Sequence, residues 1–210
     1  AVGSVHEPAA NVKQELVHTN DKDKFMKLMA ELEERTGSVI IFVKTKYATE
    51  RLAKRLSNQE YKSDAIHGDL KQRRRDRVIQ KFRDKKYRIL VATDIAARGL
   101  DIPHIEHVIN YDLPQCPEDY IHRIGRTARA GAEGEAVNLL TKADGSKWKA
   151  IERLLGGNDN EEPSLKSRKK KRKTRNSYWK KKAMANGGDN KKKKRPAKSD
   201  DSADRRHWKK

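Results

Sequence analysis

Short continuous apolar runs alternate along this chain with stretches whose apolar residues recur at three- and four-residue spacing. Residues 38–43 (Ser-Val-Ile-Ile-Phe-Val) and 87–92 (Tyr-Arg-Ile-Leu-Val-Ala) end in aliphatic runs with no polar alternation. A strand covered on both faces of a parallel sheet reads this way. Shorter strand signals fall at 12–17, 62–66 and 105–110, and residues 134–141 alternate apolar and polar as an edge or last strand does. Between the strands, Phe25, Leu28, Met29 and Leu32 fall at i, i+3, i+4 and i+7 and form one helical face. Asn20 or Asp21 is placed to cap that helix, and Thr36-Gly37 ends it. Ala48, Leu52 and Leu56 mark a second helix, and Val78, Ile79 and Phe82 a third over 72–83. A single helical turn is expected at 95–98. Pro114 and Pro117 precede a helix carrying Tyr120 and Ile121. A last helix holds Trp148, Ile151, Leu154 and Leu155, with Asp144 as its cap and Gly156-Gly157-Asn158 as its stop.

Strand and helix therefore alternate about five times at short spacing, the pattern of an α/β domain with a parallel sheet and helices on both faces, three layers in all. In such open sheets ligands bind beyond the carboxyl ends of the strands. The polar clusters fall there: Thr45-Lys46, His67-Gly68-Asp69, Thr93-Asp94 and Asn110-Tyr111-Asp112. Residues 1–11 read as a linker, 12–157 as the domain and 158–210 as a tail. The start, Ala-Val-Gly-Ser, has neither the basic nor the apolar region of a signal peptide and reads as the cut edge of a longer protein.

Charge sharpens this division. The 210 residues carry a net charge of +20. Residues 165–210 contain 21 Lys and Arg against 4 Asp and Glu, or +17, leaving +3 on the remainder. The tail has too few apolar residues for a core, and disorder is its expected state. A polycation neutralises phosphates without reading sequence, and Tyr178, Trp179 and Trp208 could stack on bases. The expected partner of the tail is RNA or DNA; a solubilising role with no defined ligand is the plainer alternative. The single cysteine, Cys116, allows no internal disulfide and fits a reducing, cytoplasmic setting. No apolar run approaches the roughly 18 residues of a membrane span. His104 and His107 lack the further donors of a metal site, so none is expected.

Two stretches carry the chemistry. In residues 120–131 Arg123, Arg126 and Arg129 recur every third position, which cannot hold all three on one helical face. Guanidinium forks match phosphate oxygens, although an isolated arginine triplet is more often a solvated turn. In residues 91–102 a buried strand runs into Thr93-Asp94, then Arg98-Gly99 and Asp101. Alone, Thr93-Asp94 could be a simple capped loop.

Together they resemble a known pair. Val91-Ala92-Thr93-Asp94-Ile95-Ala96-Ala97-Arg98-Gly99-Leu100-Asp101-Ile102 is similar to motif V of the DEAD-box RNA helicases. His122-Arg123-Ile124-Gly125-Arg126-Thr127-Ala128-Arg129 is similar to their motif VI. Val39-Ile40-Ile41-Phe42 resembles motif IV, and Gln72 to Arg75 supplies the Gln-x-x-Arg element. The four stand in family order over about residues 10–155. The resemblance implies a second RecA-like domain, with ATP and Mg²⁺ held mainly by a first domain. It implies that Arg126 and Arg129 act as arginine fingers, that Asp101 meets the ribose, and that His122 and Arg123 relay between the ATP site and the rest of the enzyme. Asp94 either pairs with a motif VI arginine or contacts a ligand. RNA is expected across the same strand ends, on backbone N–H groups at Thr45, Gly68 and Thr93 and on Gln72 and Arg75. Arg73, Arg74 and Arg77 are expected to be partly solvated surface.

The sequence holds no Gly-x-x-x-x-Gly-Lys-Ser/Thr phosphate loop and no Asp-Glu-Ala-Asp run. Half of an active site is the expectation, inactive by itself and dependent on an N-terminal helicase domain of the same polypeptide. Two rivals stay open: a non-enzymatic RNA-binding or annealing module working through the tail, and the matching domain of a DNA helicase.

Overall fold

The structure is a computed structural model that describes residues 12–98, 105–128 and 133–156. All of them fall within residues 1–162, the first of two units into which the chain divides. The tail, the linker 1–11, Asp101, His104 and Arg129 lie outside the described residues.

Six strands form one sheet in the order β1-β6-β5-β2-β4-β3. They are β1 (Val12–His18), β2 (Val39–Phe42), β3 (Ser63–Ile66), β4 (Ile89–Ala92), β5 (His107–Asn110) and β6 (Gly134–Leu140). Every pairing is parallel, so all carboxyl ends share one rim of the sheet. The helices are α1 (Lys24–Glu34), α2 (Lys46–Ser57), α3 (Gln72–Arg83), the one-turn α4 (Asp94–Ala97), α5 (Pro117–Ile124) and α6 (Gly145–Leu154).

The uninterrupted apolar strands fill both faces of the sheet. Successive side chains point to opposite sides. Val39, Ile41, Ile89 and Val91 pack under Phe25, Leu28, Leu32, Leu52 and Leu56 of α1 and α2. Ile40, Phe42, Leu90 and Ala92 pack against Val78, Phe82, Tyr120, Ile124, Trp148 and Ile151 of α3, α5 and α6. The RecA-like, three-layer arrangement expected from the alternation is the one observed.

One local expectation is corrected and two are refined. The N-cap of α1 is Asp23, not Asn20 or Asp21. Asn20 instead accepts a hydrogen bond at Oδ1 from the Asp23 backbone N–H, at 2.9 Å, and closes a turn one step earlier. β6 is the last strand and not an edge: β1 pairs outside it over seven residues, and its residues are buried except Glu135. Asp144 precedes α6 without capping it through its side chain. Its carboxylate accepts from Thr141, closing a box around a short 3₁₀ turn at Lys142–Asp144.

Candidate functional site

After β2 the chain runs first to β3 and β4 on one side, and then crosses to β5 and β6 on the other, where β6 lies beside β1. The crevice at such a reversal is where open parallel sheets bind ligands. Phe42, Asp94 and Asn110, at or just past the ends of β2, β4 and β5, meet there, and α5 brings Arg123 over them.

Arg123 is 2% exposed, yet four donor contacts are met. Nε and Nη2 donate to the two oxygens of Asp94 at 2.6 and 2.8 Å, a bidentate pair. Nη1 donates to Asn110 Oδ1 at 2.8 Å and to the Asp112 carbonyl at 2.6 Å. The guanidinium also lies 4.8 Å from the centre of the Phe42 ring. Arg123 and Asp94 are thus bound to each other inside the domain, the pairing of Asp94 with a motif VI arginine that the sequence left open. A buried charge is tolerable only when paired and hydrogen-bonded in this way.

The contacts continue sideways from Asn110 and Tyr120 to Asn138 and Gln14, which the sequence alone does not single out. Asn110 Nδ2 donates to Asn138 Oδ1 at 2.8 Å. Asn138 Nδ2 donates to the Tyr120 hydroxyl at 3.1 Å and to the Glu15 carbonyl at 3.3 Å. The Tyr120 hydroxyl in turn donates to Gln14 Oε1 at 2.6 Å. A polar chain therefore crosses the sheet from α4 to β1, through α5, β5 and β6. Burial pushes the Tyr120 phenol up to about 12, with the Asn138 hydrogen bond pulling the other way. The available signal was an asparagine among the apolar residues of β5 and another among those of β6.

Beside Arg123 a shallow pocket of about 10 Å³ is lined by Phe42, Asp94, Ala97, Arg98, Asp119, His122 and Arg126. His122 is exposed and Arg126 half-buried. Arg98 pairs with Asp119, which holds its guanidinium above the usual arginine range. The backbone after Arg126 is shaped by close packing. Ala128 takes φ 55°, and Thr127 Oγ1 donates to the Glu106 carbonyl at 2.7 Å. A Cβ on Gly134 would run into the Thr127 side chain, so this strand start must be glycine for the turn to lie on it.

The expected RNA contacts occupy the rim over β2, β4 and β3. Thr45 is exposed and caps α2, its Oγ1 accepting from Ala48 N–H at 3.2 Å. Gly68 is exposed, with open space where a side chain would stand. Lys46 reaches across to Asp69 at 2.5 Å, and this bond lowers the Asp69 carboxyl below its ordinary range. Thr93 departs from expectation: it is buried, and its backbone N–H donates to the Ile66 carbonyl at 3.3 Å, so that group does not face a phosphate. Gln72 is exposed and donates to Asp76 at 2.7 Å. Arg75 turns inward, Nη2 donating to the Ala96 carbonyl of α4 at 2.7 Å, which ties α3 to the Thr93-Asp94 stretch. The structure brings Thr45, Gly68, Gln72 and Arg75 to one side of the rim, and Asp94, His122, Arg123 and Arg126 to the other. His107 Nε2 donates to the Thr36 carbonyl at 2.7 Å. Among the described residues no group of three or more His, Cys, Asp or Glu is arranged to hold a metal ion.

Residues 22–131 match the helicase conserved C-terminal domain. A probable ATP-dependent RNA helicase of Methanocaldococcus jannaschii is 44% identical over 146 residues. That match takes in 70% of this chain and 40% of the relative, so the chain spans well under half of that protein's length. The C-terminal domain of the DEAD-box protein Dbp5 superposes with a TM-score of 0.64 at 37% identity, over 70% of this chain and 86% of that one. S. cerevisiae Dbp5 bound to RNA and ADP BeF3 superposes with a TM-score of 0.65 at 36% identity, over 74% and 41% of the two chains. With the order of its four motifs, its parallel sheet and these likenesses agreeing, the chain belongs to the DEAD-box RNA helicases, as their C-terminal RecA-like domain with a basic tail.

Proposed function

We propose that this domain is the second half of an ATP-dependent RNA helicase, contributing arginine fingers and part of an RNA track to an active site completed by an N-terminal domain of the same polypeptide. The supporting observation is the convergence of Arg98, His122 and Arg126 on a pocket of about 10 Å³, far too small to enclose a nucleotide. Most of the enclosing surface must come from another domain. Arg126, with Arg129, is suited to the charge on a transferring phosphoryl group, because a fixed guanidinium meets that charge without reorganising. Asp101 accepts a ribose hydroxyl in this reading. ATP with Mg²⁺, when bound, supplies the phosphoryl group whose transfer drives remodelling.

The residues of this chain then divide the work. Arg123 and Asp94 lock α5 to α4, so that the position of His122 and Arg126 follows the Thr93-Asp94 stretch. Arg75 ties α3 to that stretch through the Ala96 carbonyl. RNA seated at Thr45, Gly68, Gln72 and Arg75 is thus mechanically joined to the nucleotide side. These contacts address the sugar–phosphate backbone and position RNA without reading its sequence.

The test is RNA-stimulated ATP hydrolysis by this chain alone and by the protein that also carries the first domain. Turnover is expected only in the second. There, Arg126→Ala should lower kcat by about 10³-fold, as for other arginine fingers, with RNA affinity and melting temperature unchanged. Substantial RNA-stimulated turnover by the chain alone would overturn the reading. The rival, a non-enzymatic annealing module, is favoured only by the concentration of charge in the tail and would show RNA annealing indifferent to Arg126.

A further inference from the structure

We propose that the outward face of α3 is a second phosphate-binding strip for RNA, built on Arg73 and Arg77 and separate from the strand-end track. It rests on the RNA-binding reading above and extends it to a surface expected from the sequence to be merely solvated.

Residues 71–83 hold seven Lys and Arg and one acid, Asp76. The structure accounts for several of these charges. Asp76 is held by Gln72, and Asp84, just past the helix, by Gln80 at 2.8 Å. Lys81 reaches the Tyr87 hydroxyl, Arg74 lies 4.0 Å from Asp64, Arg75 turns inward to Ala96, and Arg83 at the far end is also engaged. Lys71 is exposed at the N-cap, and of the helix's own arginines Arg73 and Arg77 remain. Both are exposed, and neither has a hydrogen-bond or ion-pair partner among the described residues. Four residues apart, they share a side of the helix, about one 5.4 Å turn from each other. That side is opposite Val78 and Phe82, which are buried in the core.

Two further features fit phosphate. The first turn of α3 has no acidic residue and no side-chain cap, so the positive end of a 12-residue helix is unneutralised. The helix also starts directly after the Gly68-Asp69 loop. RNA leaving the rim at Gly68 therefore runs onto Arg73 and then Arg77. An acidic protein partner fits less well, because docking needs a buried apolar or aromatic anchor. Among the described residues the exposed large hydrophobics are Met26, Tyr47 and Ile95, none of them on α3.

The test is equilibrium binding of the full chain to a fluorescein-labelled single-stranded RNA of about 20 nucleotides over a range of salt. Each neutralised phosphate adds about 0.7 to the slope of log K against log salt for single strands. R73A/R77A should therefore lower the slope by about 1.4, with an unchanged melting temperature. Lys85→Ala with Lys86→Ala removes the same charge just beyond the helix and should leave the slope as it was. The proposal is overturned if R73A/R77A keeps the parental slope, or if the control lowers it equally, since diffuse charge would then be the whole effect. Arg75→Ala, measured in parallel, separates the two readings. If it changes nothing while R73A/R77A lowers the slope, the strand-end track is wrong and the strip stands.

Discussion

A guanidinium as enclosed as that of Arg123 persists only where its donors are met, and here two asparagines extend the same requirement across the sheet. Neither Asn110 nor Asn138 is exposed at all, and each gives an amide to the next member of the chain. Tyr120 is the point at which this chain passes to β1. Its phenol has a folded value of about 12, against an unfolded value of about 10. Between these values the unfolded chain has released the proton and the folded one retains it. Stability from this group is therefore complete below about pH 10 and is lost as pH rises toward 12. Tyr120→Phe should remove that loss, making the fall of stability shallower by up to about 1.4 kcal/mol per pH unit in this window. At neutral pH the same variant should cost about 1–2 kcal/mol, because Asn138 and Gln14 lose a buried partner. Urea unfolding of both proteins from pH 8 upward would check it, and parallel profiles would refute it. The motif arginines were legible as a group from sequence, since their spacing divided them between different partners. Which one faces inward was not, because that depends on Asn110 and Asn138 from strands 28 residues apart meeting in register.

The helices and strands were legible wherever one period dominated. The four-residue strands β2 and β4 are wholly buried, as their unbroken apolar runs require. The alternation in β6 marks the last strand without fixing its place in the sheet, because its polar member Asn138 is satisfied within the core. At the amino end of the sheet, elements are joined by a charge that no motif announces. Arg35, just past α1 with a side chain 7% exposed, donates to Glu15 of β1, Glu31 of α1 and Glu135 of β6 at 2.8, 2.5 and 3.1 Å. Burial raises the Glu31 carboxyl despite the pull of Arg35. Arg35→Ala would leave these carboxylates facing one another without a central cation. It should destabilise the domain by about 3 kcal/mol, within the range for breaking one side of a buried pair. A shift in the urea midpoint of less than a third of that would show the cluster to be slack. The nearby Gly37, at φ 87°, has the Glu106 carboxylate where a Cβ would stand, so glycine is required between α1 and β2.

Across the whole molecule the charge is divided more sharply than the fold. Removing residues 165–210 takes the net charge from +20 to +3. RNA affinity should drop, and its dependence on salt should flatten by several units of slope, because each lost phosphate contact contributes about 0.7. Salt titrations of the parent and the shortened chain would check this; coincident curves would remove the tail from RNA binding. What remains after deletion isolates the strand-end rim and α3. The topology has a separate consequence for the birth of the protein. Among the described residues β1 is the first strand made, yet its neighbour in the sheet is β6, the last, with Lys13 meeting Glu135 across 122 residues. At about 5–20 residues per second on the ribosome, β1 stays unpaired for about 6–24 seconds while its partner is being translated. The first strand of the domain is thus the last to find its place, and its charged residues Lys13 and Glu15 keep an open edge from recruiting another nascent chain in the meantime.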